Sequence, residues 1–411
     1  MVLISHPTGN TFMREAVCAL GESELLAEVH TAIAACGGNF FDKLARLPGF
    51  GEIRRRHFPE KIENKLYLHP LRECGRLLAS RLGLGRSIKH ESGFFSLDAV
   101  YRSFDKSVSR RIQMGKVSAV YCYEDGALET FRAAKARGVF CIYDLPIAYW
   151  STVRRLLLEE ADRLPEWACT LDGLKDSQEK ISRKESELEL ADLVLCPSQF
   201  VRDSIPIPLC QKKKVQIVSF GSPTLSKSAL RSRATGPLKV LFAGSMTQRK
   251  GLGDLFTAFR LLDSKKFELH ILGTPVAGMD FYLNQFPNFT HHSTRANSAV
   301  LELMSRCDVL VLPSIVEGRA LVQQEAMACG LPVIATRNAG AEDLLEDETA
   351  GFLVPIRSPE SIARKLEMLE CNRDLLESMS RMARVKAAAM QWDFYRSRIV
   401  ECVAVAISAS K

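Results

Sequence analysis

Two glutamates eight positions apart, Glu317 and Glu325, have the types and spacing that could bind a hydroxyl-rich ligand. Glu317 lies in a short loop after the apolar run 308–312, which is typical of a buried parallel strand. Glu325 lies in the helical pattern that follows and ends at Gly330. Because eight residues make a little over two helical turns, the two carboxylates can point in similar directions. Carboxylates accept hydrogen bonds from vicinal hydroxyls, so this pair is suited to a sugar or a ribose.

The expected place of these glutamates also favours a ligand site. Glu317 should lie at the carboxyl end of a strand, where open α/β sheets bind ligands. The alternative is structural: Glu317 would interact with the helix dipole, and Glu325 would be a solvated surface residue, as most charged side chains are. The two glutamates alone leave both interpretations open.

A second charged group occurs in the loop 244–251, between a predicted strand and a predicted helix. Arg249 and Lys250 stand at the entrance to that helix, where free backbone N–H groups already favour anions. A diphosphate would gain charge-assisted hydrogen bonds from both side chains. The loop lacks the G-x-x-x-x-G-K-[ST] pattern, so it is not a P-loop. Without other evidence, an Arg–Lys pair can also be simply solvated.

Strand and helix patterns alternate along the whole chain. The predicted strands are 2–4, 119–122, 139–143, 191–196, 212–220, 238–243, 267–272, 289–292, 308–312, 333–335 and 351–355. Such alternation predicts parallel sheets with helices on both faces. We therefore expect an α/β protein of two Rossmann-like, doubly wound parallel-sheet domains that face a central cleft, where a ligand would lie.

The length of 411 residues also favours two domains. The predicted division is an N-terminal domain over 1–222, a linker rich in Ser, Thr, Arg and Pro over 223–237, a C-terminal domain over 238–390, and a C-terminal helix over 391–411.

Composition indicates a globular protein, with 46% hydrophobic and 25% charged residues. No apolar run approaches the roughly 20 residues needed to span a bilayer, and the apolar start is too short for a signal peptide. The twelve cysteines are scattered, without C-x-x-C pairs or zinc spacing. They are expected to be reduced thiols of a cytoplasmic protein, and no metal site is predicted.

Positive charge is concentrated in residues 42–116, which hold 17 Lys and Arg against 8 Asp and Glu. The stretch includes Arg54, Arg55 and Arg56 and the leucine-rich segment 77–86. Two interpretations remain open: peripheral contact with an anionic membrane or a phosphorylated acceptor, or a solvated face. No nucleic-acid-binding signature is present, so nucleic acid is not an expected partner.

Several motifs occur together in an order and spacing more specific than any one of them. They are Ala191-Asp192-x-Val194-x-Cys196-Pro197-Ser198, the 244–251 loop, the strand end 308–314, Glu317-Gly318-x6-Glu325-Ala326, Gly330-x-Pro332-Val333-Ile334-Ala335 and Gly351-Phe352-Leu353-Val354-Pro355. Over residues 191–355 the chain resembles the family 4 (group 1) retaining glycosyltransferases of the GT-B fold. Before residue 191 the likeness is topological.

The resemblance implies separate roles for the charged residues. Glu317 would contact hydroxyls of the transferred sugar, and Glu325 would hold the nucleotide ribose. Lys250 would bind the donor diphosphate. The family often has an arginine directly after the strand glycine, where this chain has Ser245, so Arg249 would supply that charge.

The resemblance also implies where the donor and the acceptor lie. Gly244 and the backbone of residues Gly318, Arg319, Ala320 and Leu321 would contact the donor, with Gly9 facing them from the first domain. Many family members carry a histidine near the transferred sugar. Here the chain reads Tyr143-Asp144, and these two residues are expected on the acceptor side.

The activity implied is transfer of a sugar from a nucleotide-diphosphate sugar to a sugar, lipid or small-molecule acceptor, with retention of anomeric configuration. The leaving phosphate would help to deprotonate the acceptor, and no metal or other cofactor would be required. The last helix often crosses onto the first domain in this fold; Trp392, Phe394 and Tyr395 would anchor it there or pack inside the second domain. The alternatives are an epimerase, a phosphorylase or a non-catalytic sugar-nucleotide-binding protein.

Overall fold

Two parallel sheets, one in each half of the chain, form the framework of the protein. The computed structural model describes residues 1–46, 51–115, 117–224, 236–293 and 297–409. Most of the predicted linker, 223–237, lies outside the described residues.

The first sheet has seven parallel strands in the order β3-β2-β1-β4-β5-β6-β7. These strands are β1 (Val2–Ser5), β2 (Leu26–Thr31), β3 (Leu66–Leu68), β4 (Ala119–Tyr123), β5 (Phe140–Asp144), β6 (Leu193–Cys196) and β7 (Lys214–Ile217). The helices of this half are α1 (Thr11–Glu22), α2 (Phe40–Ala45), α3 (Gly51–Arg54), α4 (Leu71–Arg81), α5 (Leu97–Met114), α6 (Leu128–Lys135), α7 (Trp150–Arg163), α8 (Gln178–Leu190), α9 (Gln199–Ser204) and α10 (Ile207–Lys212).

The second sheet has six parallel strands in the order β10-β9-β8-β11-β12-β13. They are β8 (Leu238–Ala243), β9 (Phe267–Leu272), β10 (Thr290–His292), β11 (Val309–Leu312), β12 (Val333–Thr336) and β13 (Gly351–Val354). The helices are α11 (Leu252–Leu261), α12 (Met279–Gln285), α13 (Asn297–Ser305), α14 (Leu321–Cys329), α15 (Glu342–Leu345), α16 (Pro359–Cys371), α17 (Arg373–Ala389) and α18 (Trp392–Ala409). The predicted pair of doubly wound α/β domains is confirmed.

Each predicted strand is present, with small differences at its ends, but the sequence patterns did not predict β2 and β3. In β2 the polar residues Glu28 and His30 interrupt the apolar run. Both are satisfied inside the fold, because Glu28 accepts from His30 at 3.0 Å and pairs with Arg111 of α5 at 2.6 Å. A strand whose polar residues are paired by a distant helix gives no local apolar signal.

The C-terminal helix lies on the N-terminal domain. Tyr395 is buried in the same apolar cluster as α1 and β1, and its hydroxyl donates to the carbonyl of Phe12 at 3.3 Å. Arg396 pairs with Glu15 of α1 at 2.6 Å. Phe394 is 47% exposed and is therefore not an anchor.

The basic region is less exposed than its sequence indicates. Arg54 and Arg55 are exposed, but Arg56 is buried and its Nη2 contacts Glu73 Oε1 at 2.5 Å. Arg56 therefore belongs to the interior of the domain and does not extend the charged surface. Within the described ranges, none of the helices combines the length and apolar character that crossing a membrane requires.

Replacing Tyr395 with alanine tests the anchoring of α18. We expect Tyr395→Ala to lower the free energy of unfolding by about 3 kcal/mol, because a fully buried aromatic ring is lost. Phe394→Ala on the same helix is the control and should change it by less than about 0.5 kcal/mol. Urea unfolding measures both; equal effects would contradict the packing described.

Candidate active site

A cavity of about 600 Å³ lies between the two domains, at the carboxyl ends of β8 and β11. From the C-terminal domain it is lined by Ala243, Gly244, Ser245, Arg249, Lys250, Leu272, Gly273, Thr274, Val300, Glu317, Arg319, Ala320, Leu321 and Val322. Phe12, Pro146, Ile147 and Phe220 line it from the N-terminal domain. Most of the residues predicted to bind a donor are therefore brought together, beside four N-terminal-domain residues that sequence patterns missed.

The electrostatic centre of the cavity is one carboxylate oxygen shared by two cations. Glu317 Oε1 lies 2.5 Å from Arg249 Nη1 and also contacts Lys250 Nζ. The cations come from the loop after β8 and the carboxylate from the loop after β11. Because β8 and β11 pair directly in the sheet, their carboxyl ends bring the two loops side by side.

The charges of this cluster depend on one another. Lys250 and Arg249 hold the pKa of Glu317 below its usual value of 4.5, although burial alone would raise it. Burial lowers the pKa of Lys250, and Glu317 opposes that shift. A lowered carboxyl pKa stabilises the fold above pH 4.5, and this contribution is lost as pH falls through the lowered value. With two cations on one carboxylate, the cluster keeps a net positive charge.

The cationic loop is fixed by a buried polar network that spans both domains. Gln248, next to Arg249, donates from Nε2 to Glu160 of α7 at 2.7 Å and to Asp254 of α11 at 2.8 Å. Arg163 of α7 pairs with the same Asp254 at 2.8 Å. The loop therefore cannot shift without breaking contacts on both sides of the cleft.

Apolar contacts reinforce this network. The 3-10 helix Pro165–Thr170 follows α7, and its Trp167 is buried in the core cluster of the second domain. The Trp167 ring packs against Phe256 at 5.8 Å and Phe281 at 5.0 Å between centroids. The first half of the chain thus supplies part of the second domain's core, which its sequence position did not indicate.

The Glu317 loop itself touches the N-terminal domain. A Cβ on Gly318 would lie 1.7 Å from the carbonyl oxygen of Pro146, so only glycine permits this approach. Ser198, the N-cap of α9, accepts from Val201 N and also donates to the Gly318 carbonyl at 2.7 Å. Ala148 N donates to the Glu317 carbonyl at 3.3 Å. The loop therefore closes one side of the cavity.

From the sequence, only the backbone of Arg319 is expected to contact the donor. In the structure its side chain is also fully buried at the site. Nη1 donates to Asp343 Oδ1 at 2.7 Å and to the Gly340 carbonyl at 3.1 Å. Nε and Nη2 are buried and have no partner among the described residues. The cavity wall therefore contains a third cation with hydrogen-bonding capacity to spare.

Glu325 lies on α14 one turn beyond Leu321, which lines the cavity, but Glu325 itself does not line it. It is partly buried, and burial alone raises the pKa of its carboxyl group. Its carboxylate makes no hydrogen bond or ion pair with any other described residue. A partly buried, unpaired carboxylate costs stability, which is a common property of ligand-binding residues.

Three other predicted residues, Gly9, Tyr143 and Asp144, do not line the main cavity. Gly9 has a positive φ of 58° and packs towards the Phe58 ring rather than lining the cavity. Tyr143 donates to Glu187 of α8 at 3.3 Å, on the helix-covered face of β5. Asp144 accepts from Tyr121 at 2.6 Å inside the core, where burial raises its pKa to about 7. Neither Tyr143 nor Asp144 lines the cavity.

A smaller cavity of about 210 Å³ shares Ile147 and Arg249 with the main one and extends along the N-terminal domain. Lys184 lines this second cavity. It pairs at 3.6 Å with Glu124, which follows β4 and whose pKa burial raises to about 7. These are polar groups on the N-terminal side of the cleft that sequence patterns did not identify.

Among the described residues, His90, Glu91 and Asp176 place potential metal-ligand atoms within 4.8 Å of one another. Lys180 already pairs with Asp176 at 3.0 Å, and Lys184 pairs with it at 3.7 Å. None of these three residues lines the main cavity, although Asp176 lines the smaller one.

Part of the chain is similar to known glycosyltransferases. Residues 229–386 match the family described as Glycosyl transferases group 1. The chain is 28% identical over 200 residues to the D-inositol 3-phosphate glycosyltransferase of Paenarthrobacter aurescens (strain TC1). That alignment covers 46% of this chain and 49% of the relative, so the chain spans about half of the relative's length.

Two solved structures resemble nearly the whole chain. Sucrose-phosphate synthase from Thermosynechococcus elongatus has a TM-score of 0.66 at 15% identity and covers 99% of both chains. HepE of Anabaena, solved in complex with UDP-glucose, has a TM-score of 0.60 at 14% identity and covers 98% of this chain and 99% of its own. The chain therefore has the GT-B fold, and the family match supports a group 1 glycosyltransferase.

Glu325→Gln tests whether the unpaired Glu325 carboxylate costs the fold stability. Because burial raises the carboxyl pKa, the ionised form is disfavoured in the fold, so the substitution should raise Tm at pH 7. The gain should disappear as pH is lowered towards 4.5, where the native carboxyl is itself protonated. Glu367→Gln, at an exposed position of α16, is the control and should leave Tm unchanged. A lower Tm for Glu325→Gln at pH 7 would show that the Glu325 carboxylate has a stabilising partner in the fold.

Proposed function

We propose that the protein is a family 4 retaining glycosyltransferase that moves a sugar from a nucleotide-diphosphate sugar to an acceptor hydroxyl. The observation that carries the proposal is the cluster of Arg249 and Lys250 on Glu317 in the interdomain cavity. A cluster with excess positive charge, in a cleft between two doubly wound domains, is suited to a donor diphosphate. The HepE complex with UDP-glucose supports the same class of donor, and the family match supports a glycosyltransferase.

The cluster has one arrangement without ligand and another with it. Without a donor, Glu317 neutralises part of the charge of Arg249 and Lys250. A bound diphosphate carries more negative charge than one carboxylate, so it would draw both cations towards its oxygens. Glu317 would then be released to accept hydrogen bonds from hydroxyls of the transferred sugar. Glu325, further along α14, would accept from the ribose.

Catalysis in this proposal consists mainly of stabilising the leaving group. The bond between the anomeric carbon and the diphosphate oxygen breaks while the acceptor oxygen bonds to that carbon on the same face. The acceptor proton passes to the departing phosphate oxygen, which balances the reaction without a protein base. Arg249 and Lys250 stabilise the charge that develops on the diphosphate, and in this scheme they do so without a metal.

The acceptor would enter from the N-terminal side of the cleft, through the 210 Å³ cavity next to Arg249. Lys184 would contact its hydroxyls there, held in place by its ion pair with Glu124. The acceptor class is a sugar, a lipid or a small molecule. Peripheral contact of the basic N-terminal region with an anionic membrane is part of the proposal, since it would bring a lipid acceptor to the enzyme.

A donor screen tests the proposed function. At least one of the UDP-, GDP- and ADP-sugars should stabilise the protein against heat. A ligand at a hundred times its Kd would add about 2.7 kcal/mol to the free energy of unfolding. Thermal shift measures this stabilisation, and the absence of a shift with every donor would remove the donor-site assignment.

Two substitutions separate sugar recognition from diphosphate binding. Glu317→Gln should reduce transfer by about a hundredfold or more. It should leave binding of the matching nucleoside diphosphate intact or tighter, because it frees both cations. Lys250→Ala should weaken that binding roughly tenfold or more, since a charge-assisted hydrogen bond is lost. Lys265→Ala, an exposed lysine, is the control.

Calorimetric titration with the nucleoside diphosphate, together with a transfer assay, measures these effects. If Glu317→Gln loses nucleoside diphosphate binding as severely as Lys250→Ala does, the division of roles is wrong.

A further inference from the structure

The outward face of α4 is apolar. Leu71, Leu78 and Leu82 are 87%, 59% and 63% exposed. A helix turns about 100° per residue. Leu78 and Leu82, seven and eleven residues after Leu71, therefore point within about 20° of the direction of Leu71, one on each side. The three leucines therefore form one stripe, with Leu82 continuing it directly past the end of the helix.

The segment after α4 extends this apolar surface. Leu84, Phe94 and Leu97 are 50%, 64% and 49% exposed. The segment folds against α4, because a Cβ on Gly75 would lie 2.1 Å from the Phe95 ring. These three residues and the three leucines of the stripe are called the leucine face. They are six of the nineteen large apolar residues that are exposed in the described chain.

Positive charge borders the leucine face. Arg72 and Arg81 lie on opposite flanks of the stripe, about 100° and 80° from its centre by helical geometry. Arg72 also sits over the Phe94 ring at 3.8 Å. Exposed Arg86 and Lys89 follow in the next segment. The apolar surface is therefore bordered by cations on both sides.

The inner side of α4 is held in place, so the leucine face is presented as a fixed surface. Glu73 is fully buried, and its carboxylate pairs with Arg56 at 2.5 Å and Arg76 at 2.7 Å. Leu77 packs against an apolar cluster to which α2, α3 and the segment after β2 contribute. The acidic residue of the helix is thus neutralised inside the domain and does not offset the flanking cations.

We propose that the leucine face docks on the surface of an anionic lipid bilayer. Leucine and phenylalanine side chains would enter the boundary between headgroups and acyl chains, while the flanking arginines and lysine contact lipid phosphates. The cations around the leucine face favour a bilayer over a second copy of the chain as the occupant. In a contact between two copies, the positively charged borders would repel one another.

The leucine face lies where docking would bring the cleft to a membrane-embedded acceptor. This role of the docking rests on the proposed function. β3 ends at Leu68 and α4 begins at Leu71, so α4 starts at the carboxyl edge of the first sheet. That edge faces the second domain across the cleft, as the contact of Pro146 with Gly318 indicates. Docked by α4, the enzyme would hold its cleft close to the headgroup of a membrane-embedded acceptor.

The test compares the full chain with surface variants on vesicles of phosphatidylcholine, with and without an equal part of phosphatidylglycerol. The apolar variant carries Leu71→Ser, Leu78→Ser and Leu82→Ser. The charge variant carries Arg86→Gln and Lys89→Gln. The matched control carries Ile207→Ser and Lys212→Gln on α10, where Ile207 is 71% exposed and the helix lies at the opposite edge of the sheet.

Flotation should show binding of the native chain to the anionic vesicles. The apolar variant should lower the bound-to-free ratio roughly tenfold or more, since three leucines no longer enter the bilayer. The charge variant should lower it several-fold, and added salt should reproduce that loss. The control should bind as the native chain does, and all variants should keep the native Tm.

Three results would overturn the proposal: no binding of the native chain, equal binding of the apolar variant, or a native dimer that the apolar variant converts to a monomer without any vesicle binding. Vesicle binding is measured without donor. Its failure is therefore distinct from failure of the proposed sugar transfer, which thermal shift with nucleotide sugars reports.

Discussion

The whole site depends on one electrostatic interaction, the sharing of the Glu317 carboxylate between Arg249 and Lys250. Two cations held this closely would repel each other in a largely buried cleft, so they need an anion between them. In the free protein that anion is Glu317. We infer that a donor diphosphate takes its place, and this exchange couples donor binding to the release of a carboxylate for the sugar.

Several other features of the structure hold the side chains of Arg249, Lys250 and Glu317 in contact. Pairing of β8 with β11 brings their loops together. The Gln248 network and Trp167 fix the cationic loop to both domains. Gly318, pressed against Pro146, sets the position of Glu317 relative to the first domain. The charged side chains come from loops of the second domain, but their positions therefore depend on contacts with the first domain.

The sequence was most informative where the chemistry is local. The β8 and β11 strands are largely apolar runs, and Arg249, Lys250 and Glu317 lie in the loops that follow them, so both the elements and the residues could be predicted. Gln248, Trp167 and Arg56 could not, because their roles come from partners far away in the chain. Tyr143 and Asp144 show a further limit: β5 is buried on both faces, so alternation alone does not tell which side chain reaches the cleft. In β2, polar residues paired by α5 concealed a strand.

A crystal structure of the protein with its nucleoside diphosphate bound tests most directly whether the diphosphate replaces Glu317 between Arg249 and Lys250. Lys250 Nζ and Arg249 Nη1 should each lie about 2.7–2.9 Å from phosphate oxygens, and Glu317 should have left at least one of the two cations. A diphosphate bound elsewhere, or bound while Glu317 keeps both cations, would contradict this replacement.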